Sequence, residues 1–232
     1  MQPIVYLIPS VLDEAAIETI PSYIINAVKS CAVIFAENER TARRFLKSIC
    51  KEIVIDDYEW HTIHKAEEEQ LNTFRQKIRE KKNIAIISEA GCPGIADPGQ
   101  ILIAAAQEMD ASVKPLVGPS SILLALMASG MNGQQFEFVG YLPIDHAERI
   151  KAITALELSS QKKHSTQIFI ETPYRNNQLI ETLLKTCKPS TRLCLAAELT
   201  GANEFIKTKT IAEWRKEKID LHKKPTIFLL QA

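Results

Sequence analysis

Three glutamates stand directly after short apolar runs: Glu37 follows AVIFA, Glu171 follows QIFI and Glu198 follows LCLAA. Arg40 lies close behind the first and Arg175 behind the second. A carboxylate at the end of a buried strand can take a proton from a nucleophile, and an arginine beside it can hold a phosphate or a carboxylate. The same residues serve equally as ion pairs or helix caps, so Glu37, Glu171 and Glu198 are candidate catalytic bases only. His61 and His64 are alternatives, but on a charged segment a solvated histidine is the plainer expectation.

The richest stretch is Ile84–Gly99, IAIISEAGCPGIADPG. Its apolar start, Ile84–Ile87, predicts a strand buried on both faces, as in a parallel sheet. Gly91, Pro93, Gly94, Pro98 and Gly99 then force tight turns before a helix over Gln100–Met109. Ligands of open parallel sheets sit beyond the carboxyl ends of strands, where such loops lie. The loop has neither the GxGxxG nor the GxxxxGKS/T pattern, and no lysine follows its glycines, so a phosphate cradle is not expected.

The elements that position these residues come from 232 residues, 46% apolar and 24% charged, enough for one large or two small cores. Lysine plus arginine number 28 and aspartate plus glutamate 28. Net charge is therefore zero, which gives no global attraction to nucleic acid or an anionic membrane; basic surface must be local. Between Gly201 and Ala232, Lys207, Lys209, Arg215, Lys216, Lys218, Lys223 and Lys224 outnumber Glu204, Glu213, Glu217 and Asp220. A solvated face explains that excess as well as nucleic acid does. Trp60 and Trp214 could stack on bases, although packing is the default for each. The five cysteines contain no CxxC pair, which argues against a zinc site and a disulfide framework and suits a reducing cytosol. No metal site, export signal or membrane-spanning segment is expected.

Taken in order, the chain predicts a strand at Ile4–Ile8, helical spacing over Val11–Glu18 and Ser22–Lys29, a strand at Ala32–Ala36 and a helix at Thr41–Ile49. A strand at Glu52–Ile55 and a long charged helix at Lys65–Lys82 follow, its AEEEQ run read as solvated surface. Strands alternating with helices imply a doubly wound α/β domain, residues 1–115. The second half, 116–232, opens with helix Ile122–Ser129. It continues with strand Phe136–Val139, helix Ala147–Leu158, strand Gln167–Ile170, helix Gln178–Cys187 and strand Leu193–Ala197. Strand Glu204–Lys209, a helix around Ile211–Ile219 and strand Thr226–Leu230 end it. Adjacent strands after Thr200 suggest a mixed sheet there.

The strings SEAGCPGIADPG, GPSSILLALMASG, FEFVGYLP, IFIETPYR and AAELT, in this order, resemble the tetrapyrrole methylase superfamily of S-adenosylmethionine-dependent methyltransferases. The likeness is greatest to its branch acting on small-subunit ribosomal RNA, whose pattern S-D-A-G-T-P-x-I-S-D-P-G differs from Ser88–Gly99 at Glu89, Cys92 and Ala96. The resemblance covers roughly residues 4 to 230. It implies two α/β domains with S-adenosylmethionine in the cleft between them, and a homodimer. It places cofactor contacts at Pro9, Gly91, Cys92, Ile95, Ser120, Ser121, Ile170, Ala197 and Thr226, mostly through backbone groups, while Arg40 and Arg175, beside the strand-end carboxylates, are the expected substrate contacts. A ligand without phosphate wants such amide donors and acceptors beside an apolar slot.

Several positions depart from the family pattern. T-P-I-G-N-L is here Ile8-Pro9-Ser10-Val11-Leu12-Asp13, without the glycine that permits close backbone approach. E-D-T-R is Glu37-Asn38-Glu39-Arg40, and Pro-His-Arg is Pro173-Tyr174-Arg175. The resemblance stops where that branch usually adds a small helical segment. The expected function is methylation of ribosomal RNA at a ribose 2′ oxygen. The alternatives are methylation of a tetrapyrrole or other small molecule, and a non-catalytic binding module.

Overall fold

The computed structural model describes residues 2–63 and 67–232. His64 and the expected start of the charged helix, Lys65 and Ala66, lie outside the described residues. The chain forms two compact units, Met1–Ser120 and Ser121–Ala232. Residues 116–120, assigned from sequence to the second half, are tied to the first unit. Leu116 N donates to Leu7 O at 3.1 Å, Val117 N to the Tyr23 hydroxyl at 2.7 Å, and the Cys92 thiol to Pro119 O at 3.5 Å.

The first unit is a five-stranded, wholly parallel sheet: β1 (Ile4–Ile8), β2 (Val33–Ala36), β3 (Glu59–Thr62), β4 (Ile84–Ile87) and β5 (Ser112–Pro115), in the order β3-β2-β4-β1-β5. Alternation along the strands sends side chains to two cores. Ile8, Ile34, Ala36, Ala85 and Ile87 pack with α1 (Ile24–Lys29) and α2 (Glu39–Ile49). Val5, Val33, Phe35, Ile84 and Ile86 pack with α3 (Glu67–Arg79) and α4 (Gln100–Glu108). Burial on both faces is why β2 and β4 read as unbroken apolar runs.

Two elements expected from sequence do not form in this unit. Val11–Glu18 is no helix: the Asp13 carboxylate accepts from Ala15 N at 2.8 Å and closes a turn, leaving only a short 3-10 turn at Ile17–Thr19. Glu52–Ile55 is no strand either. Its apolar residues are spent on core packing by Ile53, while turn bonds from Ile53 N to Cys50 O and from Tyr58 N to Ile55 O use the backbone. The edge strand is β3, whose residues Glu59 to Thr62 pair with Val33 to Ala36.

The second unit carries α5 (Ser121–Ser129) and a mixed sheet of β6 (Phe136–Tyr141), β7 (Thr166–Ile170), β8 (Arg192–Ala197), β9 (Phe205–Thr210) and β10 (Thr226–Gln231). The order is β6-β7-β10-β8-β9; only the β6–β7 pair is parallel. Helix α6 (His146–Lys163) runs beyond its last apolar periodic residue to an αL cap at His164, and α7 (Asn176–Thr186) packs beside it. The expected helix to Ile219 stops early. A capping box between Thr210 and Glu213 starts α8 (Ile211–Trp214), but the charged run Arg215–Lys218 offers no apolar face to continue it. Trp214 is buried and donates its indole N–H to Leu193 O at 2.8 Å, so it cannot stack on a base.

Candidate active site

In the first unit the loops after β1 and β4 are zipped together. Ser10 N donates to Gly91 O at 2.8 Å, and Gly91 N donates back to Ser10 O at 3.1 Å. The Ser10 hydroxyl donates to Ser88 O at 2.7 Å, and the Ser88 hydroxyl to Gly91 O at 3.3 Å. Gly91 has φ +72°, and a Cβ there would sit 3.3 Å from Leu12 Cδ2 and 3.5 Å from Pro119 O. Gly118 is tighter still, because a Cβ would fall 2.2 Å from Pro9 Cβ. Gly118 is required so that Pro9 can approach closely, and Gly91 takes a left-handed turn that side chains rarely adopt. Pro9, Gly91, Cys92, Gly118 and Pro119 thus form one backbone-rich cradle at the carboxyl ends of β1, β4 and β5. Ile95 projects from its outer turn, exposed.

Glu67 holds the far end of this loop. Its Oε1 accepts from Gly99 N at 3.0 Å, Ile101 N at 2.8 Å and Leu102 N at 3.3 Å, capping α4, which has no cap of its own. The solvated reading of the AEEEQ run therefore fails at its second residue.

Beside the cradle lies a carboxylate group. Glu37 Oε2 accepts from Glu89 N at 2.9 Å, and Glu89 Oε1 accepts from the Thr41 hydroxyl at 3.3 Å. Burial, followed by the negative charges of Glu37 and Glu89, pushes the carboxyl of Asp97 up to about 7. Ala96 holds φ +63° just before it, bending the loop back. Asn38, which departs from the family acid, is the N-cap of α2, accepting from Arg40 N at 3.0 Å. Arg40 is exposed and lines a small cavity with Glu37 and Glu89.

His61 is not solvated: it stacks on Phe35 with centroids 4.7 Å apart and bonds Glu59 at 2.9 Å. Trp60 packs under Arg43 and donates to Ile55 O. In the second unit the register sets Thr226 opposite Ala197, and Ile227 opposite Ile170, so all three cofactor candidates share one sheet end. The Thr226 hydroxyl donates to Lys224 O and accepts from the Asn176 amide, which also ties down Leu221 O. Glu171 is committed to Arg175, with Oε1 accepting from Nε at 3.0 Å and Nη2 at 2.6 Å. Glu198 pairs with Lys224 at 3.3 Å. Ser120 ends the first unit and Ser121 opens α5. Burial raises the thiols of Cys31 and Cys187 to about 12, leaving them inert.

The cradle offers amide groups, an apolar wall and carboxylates, and Ser88–Gly99 contains no basic residue. Its chemistry fits a ligand that is cationic and carries no phosphate.

A family model described as Tetrapyrrole (Corrin/Porphyrin) Methylases matches residues 20–214. A protein from Micromonospora olivasterospora named Ribosomal RNA small subunit methyltransferase I is 34% identical over 73% of this chain and 51% of its own length. Its namesake from Escherichia coli O157:H7 is 32% identical over 71% and 57%. The chain thus spans little more than half the length of these relatives. Among solved structures, the methyltransferase CobJ superposes with a TM-score of 0.67 at 14% identity, covering 100% of this chain and 94% of its own. Uroporphyrin-III-C-methyltransferase from Thermus thermophilus gives 0.57 at 16%, covering 100% and 93%. With most of its length inside the family model, the chain belongs to the tetrapyrrole methylase family.

Proposed function

We propose that this protein is an S-adenosylmethionine-dependent methyltransferase that modifies ribosomal RNA of the small subunit, at a ribose 2′ oxygen. One observation carries the reading: the loop bearing SEAGCPGIADPG closes with Pro9-Ser10 and Gly118-Pro119 into a cradle without basic groups. The names of its relatives support the substrate class. No described helix is long and apolar enough to cross a membrane. A homodimer belongs to this reading by resemblance alone, and a cytoplasmic location by the cysteine usage.

When bound, S-adenosylmethionine supplies a methyl group made electrophilic by its sulfonium. Gly91, Cys92 and Pro9 would hold it through backbone contacts, and the carboxylates around Asp97 favour its positive charge over a neutral thioether. An in-line displacement is accelerated chiefly by alignment and exclusion of water, which the zipped loops provide. A hydroxyl that takes the methyl must lose its proton. Asp97, titrating near neutrality beside Glu37, is matched to receive it, whereas Glu171 and Glu198 are engaged in ion pairs.

The test is incubation with labelled S-adenosylmethionine and small ribosomal subunits. The wild type should label the RNA, and Gly91→Val should bind no donor while keeping its circular dichroism spectrum, because a β-branched residue is strained at φ +72° and its Cβ would press on Leu12. Donor affinity unchanged in Gly91→Val would refute the loop assignment, and labelling of tetrapyrroles instead of RNA would refute the substrate.

A further inference from the structure

A second cavity lies against the cradle, within the first unit. It encloses about 510 Å³ between the loop after β1 and the outer face of α2. Its walls are apolar where Val11, Leu12, Ile17 and Phe45 face it, and its rim carries Arg44 and Ser48. It shares Ser10, Glu89 and Ala90 with the two zipped loops, so it opens beside the place assigned to the methyl donor. Val11 and Leu12 are two of the positions where the first loop departs from the family pattern, replacing glycine and asparagine with apolar side chains.

We infer that this cavity receives an unstacked nucleobase of the RNA substrate, an inference that rests on the function proposed above. An enzyme that acts on a nucleotide within a structured RNA must draw it out of its stack, and the extruded base then needs an apolar slot with polar groups at its edge. The volume falls within the range of sites that enclose small ligands. Glu89, in the wall, accepts hydrogen bonds from a base edge, and Thr41 beside it donates or accepts. Arg44 stands at the mouth with its side chain 60% exposed, paired to Glu14, and exchanges that partner for an RNA phosphate.

Ser48→Trp tests the inference. Ser48 lies on the solvent side of α2, outside the core and outside the cradle, so an indole there fills the cavity without touching the donor's contacts. Methyl transfer to small ribosomal subunits should fall by tenfold or more while the Kd for S-adenosylmethionine stays within twofold, and Arg44→Ala should raise KM for the subunits severalfold with kcat unchanged. Wild-type transfer by Ser48→Trp overturns the inference, as does a parallel loss of donor affinity, which would assign the cavity to the donor. If the wild type binds no S-adenosylmethionine, the functional reading fails by itself. The cavity is then read from binding of a fluorescent single-stranded RNA hexamer, which Ser48→Trp weakens if the inference holds and leaves unchanged if it does not.

Discussion

At the scale of single residues, Asp97 is a carboxylate whose surroundings disfavour its charge. Its carboxyl moves from 3.8 to about 7 because of burial and, after it, the negative charges of Glu37 and Glu89. The raised value means that the folded state prefers the protonated form. Below 3.8 both states hold the proton and the contribution to stability is complete. As pH rises from there the unfolded chain ionises first, so stability is lost progressively until the folded carboxyl has also ionised, above about 7. Asp97→Asn stays neutral throughout. It should therefore melt increasingly above the wild type as pH goes from 5 to about 8, while methyl transfer drops by about 100-fold or more. In the wild type, kcat should rise through an inflection near 7 that Asp97→Asn lacks. Thermal melts and rates across that range check both, and identical pH slopes in the two proteins would remove Asp97 from the chemistry. The sequence placed this residue inside a turn of prolines and glycines and gave no sign of its charge environment. Glu89 stands in the same loop, eight residues earlier, but Glu37 comes from the end of a different strand, and that meeting leaves no local trace. Glu37 could be singled out because it directly follows an apolar run.

At the scale of elements, the strands buried on both faces were legible, since four or five apolar residues between polar clusters leave little choice. What escaped were features fixed by distant partners. Ile53–Ile55 has the composition of a strand, but its backbone is spent in turns, and the edge position went to the more polar Glu59–Thr62 because it lies in register with β2. Glu67 looked like one of several solvated acids and is instead the cap of another helix. Removing a cap of this kind costs about 1 kcal/mol. Glu67→Ala should accordingly lower the melting temperature by a few degrees and speed hydrogen exchange at Gly99, Ile101 and Leu102. Glu67→Gln keeps an acceptor and should recover most of both. Exchange at those three amides unchanged in Glu67→Ala would show that the loop holds its shape without the cap.

At the scale of the whole molecule, a chain of zero net charge must bind a polyanion through a limited patch. The basic excess of the last 32 residues is partly consumed within the fold, counted from Gly201 to Ala232. Lys209 pairs with Glu217, Lys224 pairs with Glu198, and Arg215 donates to the carbonyls of Leu184 and Cys187. Lys207, Lys216, Lys218 and Lys223 are exposed, and among the described residues none of them enters an ion pair. If these lysines are the contacts with single-stranded RNA, each neutralised phosphate contributes roughly −0.7 to the slope of log K against log salt, for a total of about −3. Replacing Lys207, Lys216 and Lys218 together by glutamine should flatten that slope to about −1. Transfer of the methyl group to a saturating RNA would stay intact, because these side chains position the polymer and lie outside the cradle. Titrations at several salt concentrations measure both slopes. A slope much steeper than about −4, or one untouched by the triple change, would place the phosphate contacts on another face. A shallow slope has a consequence for recognition as well. With so little affinity drawn from the backbone, discrimination of the proposed RNA would have to come from a nucleotide that leaves its stack, and the cavity inferred to receive it has Val11 and Leu12 in its walls.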